Sequence, residues 1–584
     1  MKTWLWGISL VAGGLPVDAT FCRCQPGQSC WPSETNWAAL NKTIGGSLVA
    51  VKPFASPCHN TTFNAADCAI VQDHARNSSY RSSQPGALQW ENWEAWPQAE
   101  EQCYINAPQS APCRQGRVSL FSAEVRSSQH IQAAVKFAAH HNLKLVIKNT
   151  GHDFLGRSSA PNSLQIMTHW MKNISIVDDF VPTVPTGVDA PGGVKAVTLG
   201  AGVQLHDVYV YLRSKGVMIV GGSSSTVGAA GGYIQGGGHS VLGQLHGMAS
   251  DNALEFEVVL ADGSLAIANA HQNTDLFFAL RGGGGGSFSV VVSVTVKAHP
   301  DYPVVYATAN FTTSPDDPFW AGVDAFHRHV PRLNDNGGSG YYSAIPLTPV
   351  SENQTVSTFL LYMMFVNQTS TSAVNASFVP LLADLKNATG VAPAYHVAAF
   401  PTLSSLYTTL FQGSDVTGSQ VLLGSHLISR SLFDSGDSSK LTSAMSEMQL
   451  GLGELVVGML LSGGQVSRNR DIESALNPAW RDTLLHVVSV RLLSANMTFA
   501  EQKAVAANIT QRDVPRLKAL EPGKMGAYLN EADANEADFQ TSFWGSNYPR
   551  LRAIKHKRDP HDLFITRKGV GSDRWDESGL CRVD

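Results

Sequence analysis

Three glycine-rich segments, each bordered by apolar sequence, constrain the fold of this chain more than any other feature. They span residues 148–158, 220–239 and 281–286, and strand-like runs lie at 143–147 and 288–296. The apolar, β-branched character of these runs favours buried strands over flexible linkers. Glycine permits positive φ and close approach of the backbone, so such turns can present N–H groups to an anionic group such as a pyrophosphate. The order strand, glycine turn, helix, strand predicts a phosphate-binding domain.

The spacing of these glycines disfavours the two commonest nucleotide sites. It is not the GxGxxG spacing of a dinucleotide fold, and no GxxxxGK[ST] phosphate loop occurs, so a nicotinamide or ATP site is not expected. His152 lies at the mouth of the first turn, within the triplet Gly-His-Asp. Taken alone, this triplet favours a structural histidine over a functional one.

Four segments together resemble the flavin domain of a known family. Residues 148–158, 226–239, 247–252 and 275–286 are similar to the FAD domain of berberine bridge enzyme-like oxidases, which belong to the vanillyl-alcohol oxidase or p-cresol methylhydroxylase superfamily. The C-terminal stretch 528–564 resembles the berberine-bridge segment, and residues 30–41 resemble the N-terminal part of secreted fungal members. The resemblance covers nearly the whole chain after residue 19, in the order found in the family.

The resemblance implies an α+β fold and a division of the chain. The expected parts are a two-part FAD-binding domain of the p-cresol methylhydroxylase type, an inserted substrate domain with an antiparallel sheet covered by helices, and a berberine-bridge C-terminal segment. We place a signal peptide at 1–19, a cysteine-bearing segment at 20–115, the FAD-binding domain at 116–298, the substrate domain at 299–500, and the segment returning to the FAD domain at 501–584. Within the FAD domain, periodicity predicts a helix over 128–138, before the strand that starts at Leu143.

The same resemblance implies how FAD is held. His152 matches the histidine that bonds covalently to the flavin 8α-methyl carbon. Some relatives add a cysteinyl bond, but this chain has Ser224 at that position, and a serine cannot form the thioether. We therefore expect single attachment through His152. Compared with the plant members of the family, this chain has one extra residue between Gly228 and the glycine triplet at 236–238. The small residues Ala229 and Ala230 in this interval are compatible with access of molecular oxygen.

The residues that the motifs assign to the site fall into two groups. Those expected to bind FAD are Lys148, Asn149, Thr150, Gly151, His152, Asp153, Gly156, Arg157, Ser158, Gly222, Thr226, Val227, Gly228, Gly232, Gly236, Gly237, Gly238, His239, Asn252 and Asn530. Tyr528, in a Tyr-x-Asn motif, is a candidate catalytic residue that orients or deprotonates the substrate, although a structural hydrogen bond explains it equally well. The catalytic base stays unassigned, because the substrate-domain strand that carries the plant glutamate cannot be aligned. The fungal-type motif at residues 477–481 reads as a packed turn rather than part of the pocket.

The termini and cysteines indicate the secretory pathway. Lys2 followed by a short apolar stretch and small residues predicts a cleaved signal peptide, too short to span a membrane. Eleven Asn-x-Ser/Thr sequons predict N-glycosylation. Seven of the eight cysteines lie in the segment from Cys22 to Cys113, so complete pairing into disulfides would tie Cys581 to one of them. The sequence leaves open which of the seven is its partner. No metal site is expected, since the CxC pair at residues 22–24 lacks a second ligand pair.

Composition agrees with a large folded enzyme that acts on a small molecule. The chain has 584 residues, 43% of them hydrophobic, and a net charge of −5 with dispersed basic residues, which gives no support for nucleic-acid binding. The resemblance implies an FAD-linked oxidase that takes a hydride from a small organic substrate in fungal secondary metabolism and passes the electrons to oxygen. In some members of the family, oxidation is coupled to cyclisation of the product. A secreted carbohydrate oxidase, a dehydrogenase with another acceptor, and a flavoprotein without redox activity remain the alternatives. The substrate and the oligomeric state stay open.

Overall fold

The computed structural model describes residues 21–97, 99–314, 318–411, 413, 415–494 and 497–583. The predicted signal peptide at 1–19 and the sequon at Asn496 lie outside these residues. No helix of the described part is both long and apolar enough to cross a membrane.

A small sheet near the N-terminus leads into the first glycine turn. Its strands run in the order β1-β2-β4-β3, with β3 and β4 parallel. The strands are β1 (Leu48–Ala50), β2 (Phe121–Glu124), β3 (Lys144–Lys148) and β4 (Ser163–Met167), and the helices are α1 (Glu34–Thr43), α2 (Ala65–Asp73), α3 (Ser78–Ser83) and α4 (Ser128–His140). The side chain of Ser127 caps α4, which buries Ile131 and Val135 against the sheet. The predicted helix and the strand that follows it are confirmed.

A second, antiparallel sheet completes this part of the chain. It has the order β5-β6-β10-β8-β9, and β7 pairs with β11. The strands are β5 (Ile174–Phe180), β6 (Val194–Gly200), β7 (Val217–Met218), β8 (Ala253–Val259), β9 (Leu265–Asn269), β10 (Val290–Lys297) and β11 (His299–Pro300), with helices α5 (Leu205–Arg213), α6 (Gly243–His246) and α7 (Thr274–Leu280). Six of the eight residues of β10 are buried, as its apolar sequence predicts for a central strand.

The next part is a seven-stranded antiparallel sheet with helices packed on it. Its order is β15-β12-β14-β13-β17-β18-β16. The strands are β12 (Val304–Thr313), β13 (Gly338–Ser351), β14 (Gln354–Val366), β15 (Ala394–Phe400), β16 (Gln420–Ser429), β17 (Leu455–Leu460) and β18 (Thr483–Leu493); the helices are α8 (Phe319–Asp335), α9 (Thr371–Thr389), α10 (Leu403–Leu410), α11 (Arg430–Asp434), α12 (Ser438–Ser446) and α13 (Gly464–Arg468). The antiparallel sheet covered by helices is the architecture that the sequence predicts.

The last part of the chain touches both sheet systems. It contains α14 (Phe499–Asn508), α15 (Val514–Lys518), α16 (Phe539–Trp544) and α17 (Tyr548–Arg558). Leu517 of α15 packs in the core of the seven-stranded sheet, whereas Trp544 and Leu551 join the core that contains Val294 of β10. The chain thus returns to the glycine-turn region after α15. The limits of the five parts remain predictions from the sequence.

Four disulfides pair all eight cysteines. Three of them are local, joining Cys24 to Cys30, Cys58 to Cys68, and Cys103 to Cys113. The fourth joins Cys22 to Cys581 across 559 residues. The prediction that Cys581 is tied to the N-terminal region is confirmed, and Cys22 is its partner.

Candidate functional site

The first glycine turn forms one wall of a narrow cleft. β3 ends at Lys148, and Gly151 follows with φ of +81°. The backbone N–H groups of Gly151, His152 and Asp153 donate to no other group among the described residues. The Asp153 carboxylate fixes the next residues, accepting from the backbone of Ser158 at 2.8 Å and from Arg157 Nε at 3.0 Å. The turn therefore offers free N–H donors from a rigid loop, as anion binding requires.

The second turn lies against the first turn and against the C-terminal segment at distances that only glycine allows. A Cβ on Gly228 would stand 2.2 Å from Asn149 Oδ1 of the first turn, and one on Gly236 would stand 2.4 Å from Asn530 Nδ2 of the C-terminal segment. The third turn closes the cleft, since a Cβ on Gly285 would lie 3.0 Å from the Cα of Gly232. The residues predicted to bind FAD that line this cleft are Asn149, Thr150, Gly151, His152, Asp153, Arg157, Ser158, Val227, Gly228 and Gly232. The lining also includes residues that were not predicted to bind FAD, namely Ile147, Thr168, Ala201, Ala230, Gly231, Tyr233, Gln235, Gly285, Gly286, Ser289 and Val291.

Other predicted residues lie behind the cleft rather than in it. Lys148 is fully buried and donates to the carbonyl of Gln84; burial and the nearby Arg81 lower its pKa to about 7. Asn252 donates to the carbonyls of His246 and Met248 and so braces a neighbouring turn. The predicted residues that are absent from the lining of both the cleft and the adjoining cavity are Lys148, Gly156, Thr226, Gly236, Gly237, Gly238 and Asn252.

His152 stands where the cleft opens into a larger cavity. Its Nε2 lies 2.6 Å from Thr226 Oγ1, and Thr226 Oγ1 donates to Asp415 Oδ2 at 3.0 Å. Burial lowers the pKa of His152 to about 4, against the opposing effect of Asp415, so the imidazole is neutral above that pH. Ser224 Oγ also donates to Asp415, at 2.8 Å.

The cavity has a volume of about 370 Å³ and combines aromatic walls with two carboxylates. Trp90 and Phe154 stack at its wall with ring centroids 4.7 Å apart. The lining comprises Trp90, His152, Phe154, Arg157, Leu205, Gly222, Ser223, Ser224, Val227, Gly232, Tyr233, His239, Tyr341, Asp415, Val416, Thr417, Met459, Tyr528, Asn530 and Glu531. Such a space suits a small organic molecule, which the polar side chains of the lining can orient.

Glu531 is held between two histidines at one end of this cavity. Its Oε1 lies 3.0 Å from His239 Nε2, and its Oε2 lies 3.0 Å from His486 Nε2. Burial alone would raise the pKa of Glu531, but the two histidines hold it below its ordinary value. The carboxylate is therefore an ionised acceptor of two N–H bonds. The Nδ1 atoms of both histidines are buried and have no hydrogen-bond partner among the described residues.

Tyr528 and Asn530 connect this end to the glycine turns. Asn530 Nδ2 donates to Tyr528 Oη at 2.7 Å and to the carbonyl of Gly232 at 2.9 Å, and its Oδ1 accepts from Arg157 at 3.0 Å. Burial raises the pKa of Tyr528 well above its ordinary range. Its phenol is therefore protonated at neutral pH and suited to donate a hydrogen bond.

The segment 477–481 forms a packed turn behind the cavity, as its sequence indicates. Trp480 is 1% exposed, and its ring lies 5.5 Å from that of Tyr528. Arg481 makes two hydrogen bonds of 2.8 Å to the Asp251 carboxylate. This buried ion pair anchors the turn to the loop around residue 251.

Comparisons with known proteins decide the family. Residues 120–269 match a family model described as FAD binding domain, and residues 527–571 match one described as berberine and berberine like. FAD-linked oxidoreductase malF of Malbranchea aurantiaca is 40% identical over 595 residues, covering 99% of this chain and 97% of malF. An uncharacterized FAD-linked oxidoreductase of Arthroderma benhamiae is 46% identical over 567 residues, 96% of each chain. The chain belongs to the berberine bridge enzyme-like FAD-linked oxidoreductases.

Solved structures agree with this family. The VAO-type flavoprotein MtVAO615 from Myceliophthora thermophila C1 matches this oxidoreductase with a TM-score of 0.85 at 32% identity, over 96% of this chain and 100% of that chain. MtVAO713 from the same organism matches with a TM-score of 0.87 at 27% identity, over 97% and 100% of the two chains. The fold is that of VAO-type flavoproteins, as the sequence predicts.

The cleft of this oxidoreductase fits FAD. The unpaired N–H groups of the first turn suit a diphosphate, and the glycines of the facing turns leave no room for a side chain between the walls. Asn149 Oδ1 and Ser289 Oγ line the cleft and are buried without a hydrogen-bond partner among the described residues. A bound nucleotide would satisfy these polar atoms. FAD bound here supplies hydride acceptance.

Three residues in or next to the cavity were not predicted from the sequence, for different reasons. Glu531 directly follows the predicted Asn530, so its place beside the Tyr-x-Asn motif was a usable signal. His486 lies within a strand with no motif around it. Asp415 reaches Thr226 from 189 residues away, in a segment whose sequence has no distinctive pattern.

Proposed function

We propose that this enzyme is an oxidase that attaches FAD covalently to His152 and takes a hydride from a small organic substrate held in the aromatic cavity. The observation that carries the proposal is the cavity that His152 and the Glu531–His239 pair line together. In this arrangement His152 positions the hydride acceptor, and Glu531 receives the proton.

Single attachment rests on the state of the two candidate side chains. His152 is neutral above a pKa of about 4, so it retains the lone pair that bond formation needs. Ser224 cannot form a thioether, and its hydroxyl is engaged with Asp415. We therefore assign one covalent bond, at His152.

Glu531 is our choice for the general base, held in place by His239 and His486. Its carboxylate lines the cavity, and each of its oxygens accepts one N–H bond and keeps a further lone pair. The Nδ1 atoms of both histidines are buried, so the carboxylate, rather than either histidine, is the basic group that a substrate in the cavity can reach. Tyr528, protonated and bonded to Asn530, orients the substrate hydroxyl, amine or phenol by donating a hydrogen bond.

The walls of the cavity favour an aromatic or largely apolar secondary metabolite. Rings of Trp90, Phe154 and Tyr341 line it together with Met459, and these side chains offer stacking and apolar contact to such a molecule. Two similar proteins are described as oxidising flavoenzymes. One is the FAD-linked oxidoreductase malF, and the other is the flavin-dependent oxygenase ucdF of Aspergillus ustus, which is 39% identical to this chain. The second candidate function is a carbohydrate oxidase. A glucooligosaccharide oxidase from Acremonium strictum has the same fold, with a TM-score of 0.59 at 19% identity, so this fold also accommodates oxidation of a sugar.

Oxygen as acceptor and export through the secretory pathway complete the proposal. Ala229 and Ala230 beside the cleft are small and buried, which supports access of oxygen. Four disulfides support an oxidising compartment. Six sequon asparagines are exposed and accessible to glycosylation: Asn60, Asn173, Asn353, Asn367, Asn387 and Asn508.

The test begins with the secreted protein precipitated in acid. Yellow colour and a flavin mass on the peptide that contains His152 are expected, with none on any cysteine peptide. Aromatic alcohols, amines, phenols and oligosaccharides are then screened for flavin bleaching without air and for hydrogen peroxide in air. Peroxide release with oligosaccharides alone would favour the carbohydrate oxidase, and bleaching without reoxidation by air would indicate a dehydrogenase. A colourless precipitate with free flavin in solution would contradict covalent attachment.

A further inference from the structure

A chain of hydrogen bonds runs from His152 to a half-buried carboxylate, Asp415, on a loop distant in sequence. His152 Nε2 lies 2.6 Å from Thr226 Oγ1, and Thr226 Oγ1 lies 3.0 Å from Asp415 Oδ2. Asp415 is an unexpected partner, since it belongs to the segment between α10 and β16. Neither Thr226 nor Asp415 has a role in the hydride transfer proposed above.

The direction of these bonds follows from the number of protons. An ionised carboxylate only accepts, so the single hydroxyl proton of Thr226 points to Asp415. The Thr226 oxygen must then accept from His152, which places a proton on Nε2 and the lone pair on Nδ1. Nδ1 has no hydrogen-bond partner among the described residues.

Asp415 is fixed independently of any bound molecule. Its carboxylate also accepts from Ser224 Oγ at 2.8 Å and from the backbone N–H groups of Ser225 and Thr226, both at 3.2 Å. Its own backbone N–H donates to Ser78 Oγ at 2.8 Å. In the described part of the chain it forms no salt bridge with lysine or arginine, so hydroxyl and amide donors alone hold its charge.

We propose that Thr226 and Asp415 are positioning residues for the attachment of FAD. They hold His152 in the tautomer whose Nδ1 is the nucleophile, and they accept the Nε2 proton as the bond forms. This inference rests on the covalent attachment proposed above, and it adds the residues that make His152 reactive.

The step balances with molecular oxygen as the oxidant. Nδ1 of His152 forms a bond to the 8α carbon, while one C–H bond of that methyl group and the Nε2–H bond break. Two protons are released, and the second of them leaves through Thr226 to Asp415. Oxygen accepts the two electrons and two protons and becomes hydrogen peroxide.

The test compares attachment with total flavin binding in isosteric variants. Thr226→Val removes the hydroxyl, Thr226→Ser retains it, and Asp415→Asn removes the charge. Thr198→Val is the matched control. It breaks a part-buried hydroxyl pair of 2.9 Å between Thr198 on β6 and Thr295 on β10, and neither residue lines the cleft or the cavity. For each protein the bound flavin is measured in total and after acid precipitation, and the rise of acid-stable flavin is followed during incubation with FAD in air.

We expect Thr226→Val and Asp415→Asn to bind flavin but to attach it at least about tenfold more slowly, since a histidine held in the wrong tautomer loses reactivity to this degree or more. Thr226→Ser and Thr198→Val should behave as wild type. Attachment at the wild-type rate in both Thr226→Val and Asp415→Asn would overturn the inference, as would a parallel loss of total and attached flavin, which indicates packing alone. Should one variant fail to fold, the other decides, because both interrupt the same chain. Acid-labile flavin in the wild type would instead contradict the proposed attachment itself.

Discussion

Replacing Glu531 by glutamine tests the proposed general base. The carboxylate accepts one N–H bond from His239 and one from His486, each at 3.0 Å. Glutamine offers one acceptor oxygen and one NH₂ group, so one of the two histidine N–H groups then faces a donor. Glutamine also carries no charge and no basic oxygen, so it cannot take up the proton of the substrate.

The expected loss follows from what general bases contribute. Positioned proton acceptors supply roughly 10²-fold to 10⁴-fold in rate. At 1.36 kcal/mol per factor of ten, this range is about 2.7 to 5.4 kcal/mol of transition-state stabilisation. We expect a loss of rate near the middle of this range, about 10³-fold.

The assay is anaerobic stopped-flow reduction of the flavin by a substrate found in the screen. Glu531→Gln should keep its flavin attached and its absorbance spectrum while the bleaching rate falls. Glu536→Gln is the matched control, because Glu536 is also buried but pairs with Lys518 outside the cavity. A bleaching rate for Glu531→Gln equal to that of the control, with full flavin content, would refute the role of Glu531.

Three further predictions concern stability and cofactor loading. Arg481→Met leaves the buried carboxylate of Asp251 without its guanidinium and should destabilise the protein by about 3–5 kcal/mol, measured by chemical denaturation. Burial raises the pKa of Asp533 from 3.8 to about 6, so its ionisation costs stability as pH rises through this window; Asp533→Asn should therefore raise the melting temperature at pH 7.5 more than at pH 4. Gly228→Ala places a Cβ 2.2 Å from Asn149 Oδ1 and should lower the flavin content of the purified protein.

Each of these predictions has a control within the chain. The double variant Arg481→Met with Asp251→Asn removes both charges and should recover most of the stability; equal loss in both would assign the effect to packing. Gly192→Ala meets no atom within 4 Å and should load flavin normally. A gain for Asp533→Asn that does not change between the two pH values would show that its ionisation is not the cause.

The glycine turns were predictable because their constraints are local. A residue type that tolerates positive φ and close contact leaves a signal in the sequence itself, and the residues from Asn149 to Asp153 line the cleft accordingly. Lys148 does not, because side chains alternate along β3 and Ile147 takes the face toward the cleft. Alternation of this kind was available from the sequence and would have moved Lys148 to the far face.

The polar partners of the cavity were harder to predict because they meet only through tertiary structure. Asp415 comes from a loop, His486 from β18, and His239 from the second glycine turn, with no spacing rule that links them. The pairing of Cys581 had the same difficulty. An odd number of N-terminal cysteines showed that one must reach it, but the choice of Cys22 depends on the isolated antiparallel β-bridge that these two residues form.

The hydrogen bond between Arg157 and Asn530 sets an order of events during synthesis. Its partners are 373 residues apart, so at 5–20 residues per second the ribosome needs roughly 20 to 75 seconds between them. Throughout this interval the first glycine turn has emerged without the wall that the last part of the chain supplies. The site for FAD can therefore close only after translation is nearly complete. Any quality control that acts on the nascent chain acts on a protein that does not yet enclose its flavin.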